Sequence, residues 1–202
     1  MDPHILPAKV RTTFGRGASF SLANRLIRLL WGVTWLVFAR WTPGAMSPWR
    51  VFILNAFGAR VSQHAAVAAS ARIWLPSNLE LGPYSTLGPG VDCYNLAPVA
   101  IGARTIVSQR VFLCAGSHDV RDPDFQLVAR PINVGDDVWL AAEAFVAPGV
   151  TVGTGCVLSA RACAFGDLLP WTVYRGNPAT VLKTRVRTLE TTPLAAKEPS
   201  CE

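Results

Sequence analysis

The sequence predicts an all-β fold, a parallel β-helix of stacked three-sided coils with an N-terminal helical segment and a short C-terminal extension. Three observations predict it. First, an inward-type side chain returns every sixth position: Val61, Val67 and Ile73; Leu81, Leu87 and Cys93; Ile101, Val107 and Leu113; then Val134, Leu140, Val146, Val152 and Leu158. All but Cys93 are aliphatic. Second, the fifth position of each hexad is small or β-branched, as in Ala65, Ala71, Ser77, Val91, Thr105, Ser117, Val138, Ala144, Cys156 and Ala162. Third, two residues are inserted before Leu81 and two before Ile101, so each group of three hexads advances by a constant step. Six residues make one short strand and a corner, and three such sides close a triangle. No single coil buries its own core, so coils stack. A β-sandwich would instead need turn signals every ~8 to 12 residues.

In chain order, residues 1–18 read as an extended arm. A helix starts after Ser21 as cap, carries Leu22, Leu26, Leu29, Val33 and Val37 at helical spacing, and is expected to run to Pro43 and Gly44. A second helix is expected over 48–57, with Ser47 as N-cap, Pro48 in the first turn and Gly58 beyond the end. Four of the seven tryptophans (31, 35, 41, 49) lie here. One reading packs 21–57 against the main body or a neighbouring subunit. The other seats it on the inner face of the cytoplasmic membrane. The coils then occupy 59–187, and glycines follow the first hexad position at 82, 88, 102, 135 and 153, where corners with unusual backbone angles are expected. The beat stops once, over a loop at 119–133, immediately after His118. Residues 188–202 read as a disordered tail.

Composition narrows the function. Half of the 202 residues are apolar and 16% are charged, enough for one sizeable core. The mostly apolar run 29–39 is about half the roughly 20 residues a membrane-spanning helix needs. Residues 1–17 lack the apolar core of a secretory leader. Five cysteines, odd in number and without a CxxC pair, argue against a zinc or disulfide framework and for a reducing cytoplasm. A net charge of +6 suggests acidic partners; nucleic acid is excluded as one of them because aromatic and basic residues are not interleaved.

The hexads, with YNLAP at 94–98, GSHD at 116–119, PINVGDDVW at 131–139, APGVTVG at 147–153 and YRGNPATVLK at 174–183, resemble the left-handed hexapeptide-repeat acetyltransferases. The resemblance is nearest to the acetyltransferases of colanic acid and exopolysaccharide biosynthesis, in the galactoside and maltose acetyltransferase-like branch. The left hand is implied by the resemblance alone, since the general rule for parallel crossovers favours the opposite one. The resemblance also implies acetyl-CoA as co-substrate, no metal, and a homotrimer with active sites between subunits. The acceptor it implies is a sugar or a lipid-linked oligosaccharide. A non-catalytic β-helix scaffold and an acyltransferase acting on an amine or other non-sugar acceptor are the alternatives. A metalloenzyme on the same coils would need three histidine ligands, and the three histidines (4, 64, 118) are scattered.

Acetyl transfer to an alcohol needs a base, and His118 suits it, because imidazole titrates close to neutral pH. Cys114 as an acyl-enzyme nucleophile is the competing assignment. Asp119 either orients the imidazole or caps the turn. By resemblance Asn95, with Tyr94, faces the acceptor; a structural corner role for Asn95 stays open. The resemblance places the carrier along Trp139, Ala141, Ala142, Ser159 and Ala160, with Asn177, Pro178 and Lys183 near its nucleotide. Arg161, Arg185 and Arg187 either join that end or form a solvated basic face.

Overall fold

Each hexad forms one strand of two or three residues and a corner, and successive corners deliver strands to three different faces. In the computed structural model, which describes residues 20–187, the first face stacks Arg60–Val61, Leu79–Leu81, Val99–Ile101, Ile132–Val134 and Thr151–Val152. The second stacks Ala66–Val67, Thr86–Leu87, Ile106–Val107, Trp139–Leu140, Val157–Leu158 and Thr172–Arg175, and the third Arg72–Ile73, Asp92–Tyr94, Phe112–Cys114, Phe145–Val146 and Cys163–Ala164. All these pairings are parallel. The stack ends on Thr180–Thr184, which pairs antiparallel with Thr172–Arg175. The expected arm and tail lie outside the described residues.

The first hexad positions point inward as the spacing predicts. Leu87, Leu113, Leu140, Val146 and Leu158 are fully buried, each burial stabilising by about 1.5–3 kcal/mol. Cys93 shares that interior, and burial pushes its thiol up to about 12. Fifth positions are buried too, except Ser77 and Ser117. Both exceptions sit where the chain leaves the coil: Ser77 in the 3-10 turn Pro76–Asn78, Ser117 in a β-hairpin.

The glycine expectation needs correcting. Glycines 82, 88, 102, 135 and 153 do not have positive φ. They are required by crowding: a Cβ on Gly82 would lie 2.7 Å from the Gly102 backbone, one on Gly102 2.7 Å from Gly135, and one on Gly153 2.5 Å from Pro170. Stacked coils therefore approach closest along this column. The left-handed angles fall two residues further on, mostly on larger side chains: Tyr84, Arg104, Asp137 and Trp171 at one corner, and Arg110, Glu143 and Arg161 at the next, all with φ between 51° and 61°. Non-glycine residues in that region cost roughly 1–3 kcal/mol each. Offsetting this, each amide bonds to the coil beneath, as Asp137 N–H does to the Ala103 carbonyl and Glu143 N–H to that of Gln109. Ion pairs run up both corners, Arg104 to Asp137 at 2.8 Å and Arg110 and Arg161 to Glu143.

The helical preface closes the first coil. Helix α1, Leu22–Phe38, is capped by Ser21, whose Oγ accepts the Asn24 N–H. It stops short of Pro43, where Ala39 and Arg40 both bond back to the Trp35 carbonyl. Helix α2, Ser47–Ala56, includes Ser47 within it instead of being capped by it. That serine is used elsewhere: its Oγ accepts the Val67 N–H, and Arg50 Nε donates to the Val67 carbonyl. Asn55 bonds both the N–H and the carbonyl of Val61, and the Trp31 indole donates to the Ile73 carbonyl. Side chains thus stand in for a missing coil on all three faces. Arg50, 1% exposed, faces only carbonyls and the Thr42 hydroxyl, and burial lowers its pKa.

Candidate active site

At the break the chain leaves the third face and folds back as an antiparallel hairpin, Gly116–His118 against Leu127–Ala129. One strand, Leu127–Ala129, and the first two residues of another, Ile132–Val134, thus lie in the segment expected to be a loop. Gly116 has to be glycine here, since a Cβ would sit 2.2 Å from Leu96 Cδ1 and 3.0 Å from Tyr94 Cε1. His118 follows, exposed, with Nδ1 2.6 Å from the Phe125 carbonyl oxygen. A carbonyl can only accept, so Nδ1 is the donor, and in the neutral imidazole the lone pair then lies on Nε2. Phe125 holds that carbonyl with φ 49°, a strained angle, and its own N–H bonds to Asp122. The hairpin therefore fixes the tautomer a general base requires.

His118 lines a groove of about 440 Å³ with Ser117, Asp119, Arg121, Val128, Arg130 and Pro148. Sequence reading missed Arg121 and Arg130, which bring two cations into it. The only signal was that both fall within the interruption of the repeat at 119–133. A larger groove of about 610 Å³ follows the glycine column on the first face. Its carboxylates are engaged, Glu80 by Arg60 and Asp136 by the Ala103 N–H, and it holds no histidine.

The other expected residues divide. Asp119 caps the turn, its Oδ1 accepting the Arg121 N–H, and the Phe125 carbonyl is the imidazole's partner. Asn95 is fully buried, bonding the N–H and carbonyl of Leu75 in the coil beneath. Its amide is thus engaged in the structural corner role. Tyr94 is half-buried, edge-on to Trp74; burial and Cys114 raise its pKa, against Arg28. Burial likewise pushes the Cys114 thiol up, and its Sγ–H donates to the Gly116 carbonyl at 3.2 Å, so it is a poor nucleophile at neutral pH.

The expected carrier residues gather away from His118, on the second face and at its corner with the third. Trp139 is exposed, its indole N–H on Ser108 Oγ at 3.0 Å. Ala142 and Ala160 occupy equivalent corner positions in adjacent coils, and neither amide N–H bonds within the described residues. Ala141 and Ser159 are tied into the stack through the carbonyls of Leu158 and Tyr174. Asn177 and Pro178 lie exposed in the turn before Thr180–Thr184, and Lys183 is exposed on that strand. Arg185 is committed to the corner, donating to the carbonyls of Asp137 and Gly155 under Trp171. Arg187 faces Asp137 at 3.9 Å, and Arg161 pairs with Glu143. Among the described residues no cluster of three metal-ligating side chains occurs.

WcaF of Escherichia coli K12, named for an acetyltransferase of colanic acid biosynthesis, is 42% identical over 162 residues, covering 80% of this chain and 88% of the relative. The chain belongs to the hexapeptide-repeat acetyltransferases. No family model matches it. A hexapeptide-repeat acetyltransferase of Vibrio cholerae solved with acetyl coenzyme A superposes with a TM-score of 0.75 at 19% identity, over 91% of this chain and 97% of that one. A galactoside acetyltransferase solved with coenzyme A gives 0.69 at 21% identity, over 83% and 84%. The solenoid of this acetyltransferase thus matches the left-handed β-helix of those enzymes.

Proposed function

We propose that the protein transfers an acetyl group from acetyl-CoA to a hydroxyl of a sugar or polysaccharide precursor by direct attack, with His118 as general base. The observation that carries this is the hydrogen bond from His118 Nδ1 to the Phe125 carbonyl, which leaves Nε2 able to accept. As the acceptor oxygen attacks the thioester carbonyl, Nε2 takes its proton. The tetrahedral intermediate then expels the thiolate, which recovers that proton from the imidazolium, giving the ester and free CoA. Arg130, which lines the same groove as His118, would supply positive charge to the developing oxyanion.

The acetyl donor is inferred from the coenzyme-bound structures of the fold, and the glycosyl acceptor from the relative named for colanic acid biosynthesis. Trp139 and the unpaired amides of Ala142 and Ala160 would hold the pantetheine, with Lys183 near the nucleotide phosphates. Trp139 and Lys183 lie on the second face and Ala142 and Ala160 at its corner with the third, whereas His118 follows the far end of a third-face strand. A carrier along one edge meets His118 most directly when another protomer's edge lies beside it, which supports a homotrimer with sites between subunits. A cytoplasmic enzyme is the reading consistent with its acetyl donor.

The test is acetyl-CoA turnover with sugar and lipid-linked oligosaccharide acceptors by wild type and His118→Ala. Equal rates for the two would remove His118 from the chemistry. CoA binding without turnover on any hydroxyl, but with turnover on an amine, would move the protein to N-acylation.

A further inference from the structure

We infer that helix α1 seats the protein on the surface of an anionic phospholipid bilayer, lying in the plane of the headgroups. Only Trp31 and Trp35 of this helix are buried. Opposite them Leu22, Leu26, Leu29, Val33, Leu36 and Val37 are all exposed, between 49% and 68%. Their spacing puts them on one arc running the full 17 residues, about 25 Å at the rise of an α-helix. Monomers rarely expose a contiguous apolar surface of this extent without a partner for it. Trp41, 70% exposed, and Trp49, stacked on Phe52 at 5.6 Å, stand just beyond the C-terminal end of the helix. Both indoles already donate to backbone carbonyls, those of Val37 and Phe38, so neither ring would carry an unmet donor into the acyl boundary.

Charge selects the occupant. No aspartate or glutamate occurs between Asp2 and Glu80. Arg25 is exposed along one edge of the apolar arc and Arg40 just past its end. A second copy of this face would set arginine against arginine with no carboxylate to answer it. An anionic lipid surface answers both the charge and the apolar stripe. The helix does not span the bilayer, since no described helix is long and apolar enough to do so. Lying flat would bring a lipid-linked acceptor to the same surface as the enzyme; only that consequence rests on the acetyl-transfer reading.

The experiment is sedimentation of the full chain with vesicles of phosphatidylcholine, alone or mixed with phosphatidylglycerol, at low and high salt. The expected result is binding to the mixed vesicles, weakened by salt. The double variant Leu29→Glu/Val33→Glu should raise the apparent Kd by about tenfold or more. Arg25→Glu/Arg40→Glu, which leaves the apolar stripe intact, should also weaken binding and flatten the salt dependence. Circular dichroism and light scattering should show both variants folded and of unchanged mass. Absence of binding to either vesicle, equal binding by the Leu29/Val33 variant, or a drop in that variant's mass showing the face covered by another copy would each overturn the inference. Acetyl-CoA turnover on a water-soluble sugar reads the enzyme separately. Vesicle binding without turnover sinks the acetyl-transfer reading alone, and turnover without vesicle binding sinks only the membrane seat.

Discussion

The corner formed by Arg104, Asp137 and Trp171 and the corner where Ser117 and His118 leave the coil arise from the same six-residue sides, yet they serve opposite ends. At the first, each coil repeats the one below: the left-handed angle recurs, amides bond downward, and Gly82, Gly102, Gly135 and Gly153 allow backbones to close to contact. At the second, the ladder is interrupted by an antiparallel hairpin that aims one carbonyl at one imidazole. Repetition supplies rigidity, and a single departure from it supplies a group able to move a proton. Rigid flanks matter for the proposed role of His118, because a general base must be held in place for proton transfer.

The largest effect should come from the departure. His118→Ala is expected to lower kcat by about 10²–10⁴, with thermal unfolding unchanged because the ring is exposed. Next comes the repeating corner: Gly102→Ala puts a Cβ against the Gly135 backbone and should cost about 2–4 kcal/mol in denaturant unfolding. Gly32→Ala, with nothing within 4 Å of the new methyl, should stabilise by about 0.5–1 kcal/mol and so serves as the control. A smaller change links the two regions. Phe125→Pro cannot hold the positive φ that aims the carbonyl, and kcat should fall by roughly 10- to 100-fold with KM for acetyl-CoA little altered. A matching rise in KM would mean the hairpin binds the carrier instead of orienting the base.

The smallest effect concerns the corner charges. Arg161 and Arg110 hold the Glu143 carboxyl below its ordinary range. A lowered folded-state pKa contributes stability above the unfolded value and loses it as pH falls through the folded one. Glu143→Gln should therefore lower Tm slightly at neutral pH, and the difference from wild type should vanish in acid below the usual glutamate range. It should also shrink with salt, since the arginines are exposed.

The stacking was legible because each inward residue repeats, so Leu81, Leu87, Leu113 and Leu140 report the same packing. His118 stood out because it sits at the one interruption. The glycine column was visible, but its cause was misjudged: one coil's sequence does not show how near the next coil lies. The left-handed angles fell on Arg104, Arg110 and Glu143, which carry no local mark of them; only the stack's hydrogen bonds sustain them. Asn95 was read by resemblance as facing the acceptor, with a corner role left open, and it bonds the Leu75 backbone, a partner twenty residues away that its local sequence does not indicate. The imidazole's own partner is a backbone carbonyl, which every residue has, so nothing in the sequence singled out Phe125. Arg130 was lost in the same way, since the groove it lines exists only after the hairpin folds back.

Ser47, Arg50, Asn55 and Trp31 matter beyond the first coil they cover. A parallel stack is by construction open-ended, and its terminal edge would otherwise accept another chain's strand on every side. With those donors and acceptors occupied, the first coil offers little free backbone to a strand from another molecule, while at the other end Thr180–Thr184 runs reversed against the last second-face strand and breaks the parallel register there. The start of the prism is thereby set by side chains instead of by a further coil.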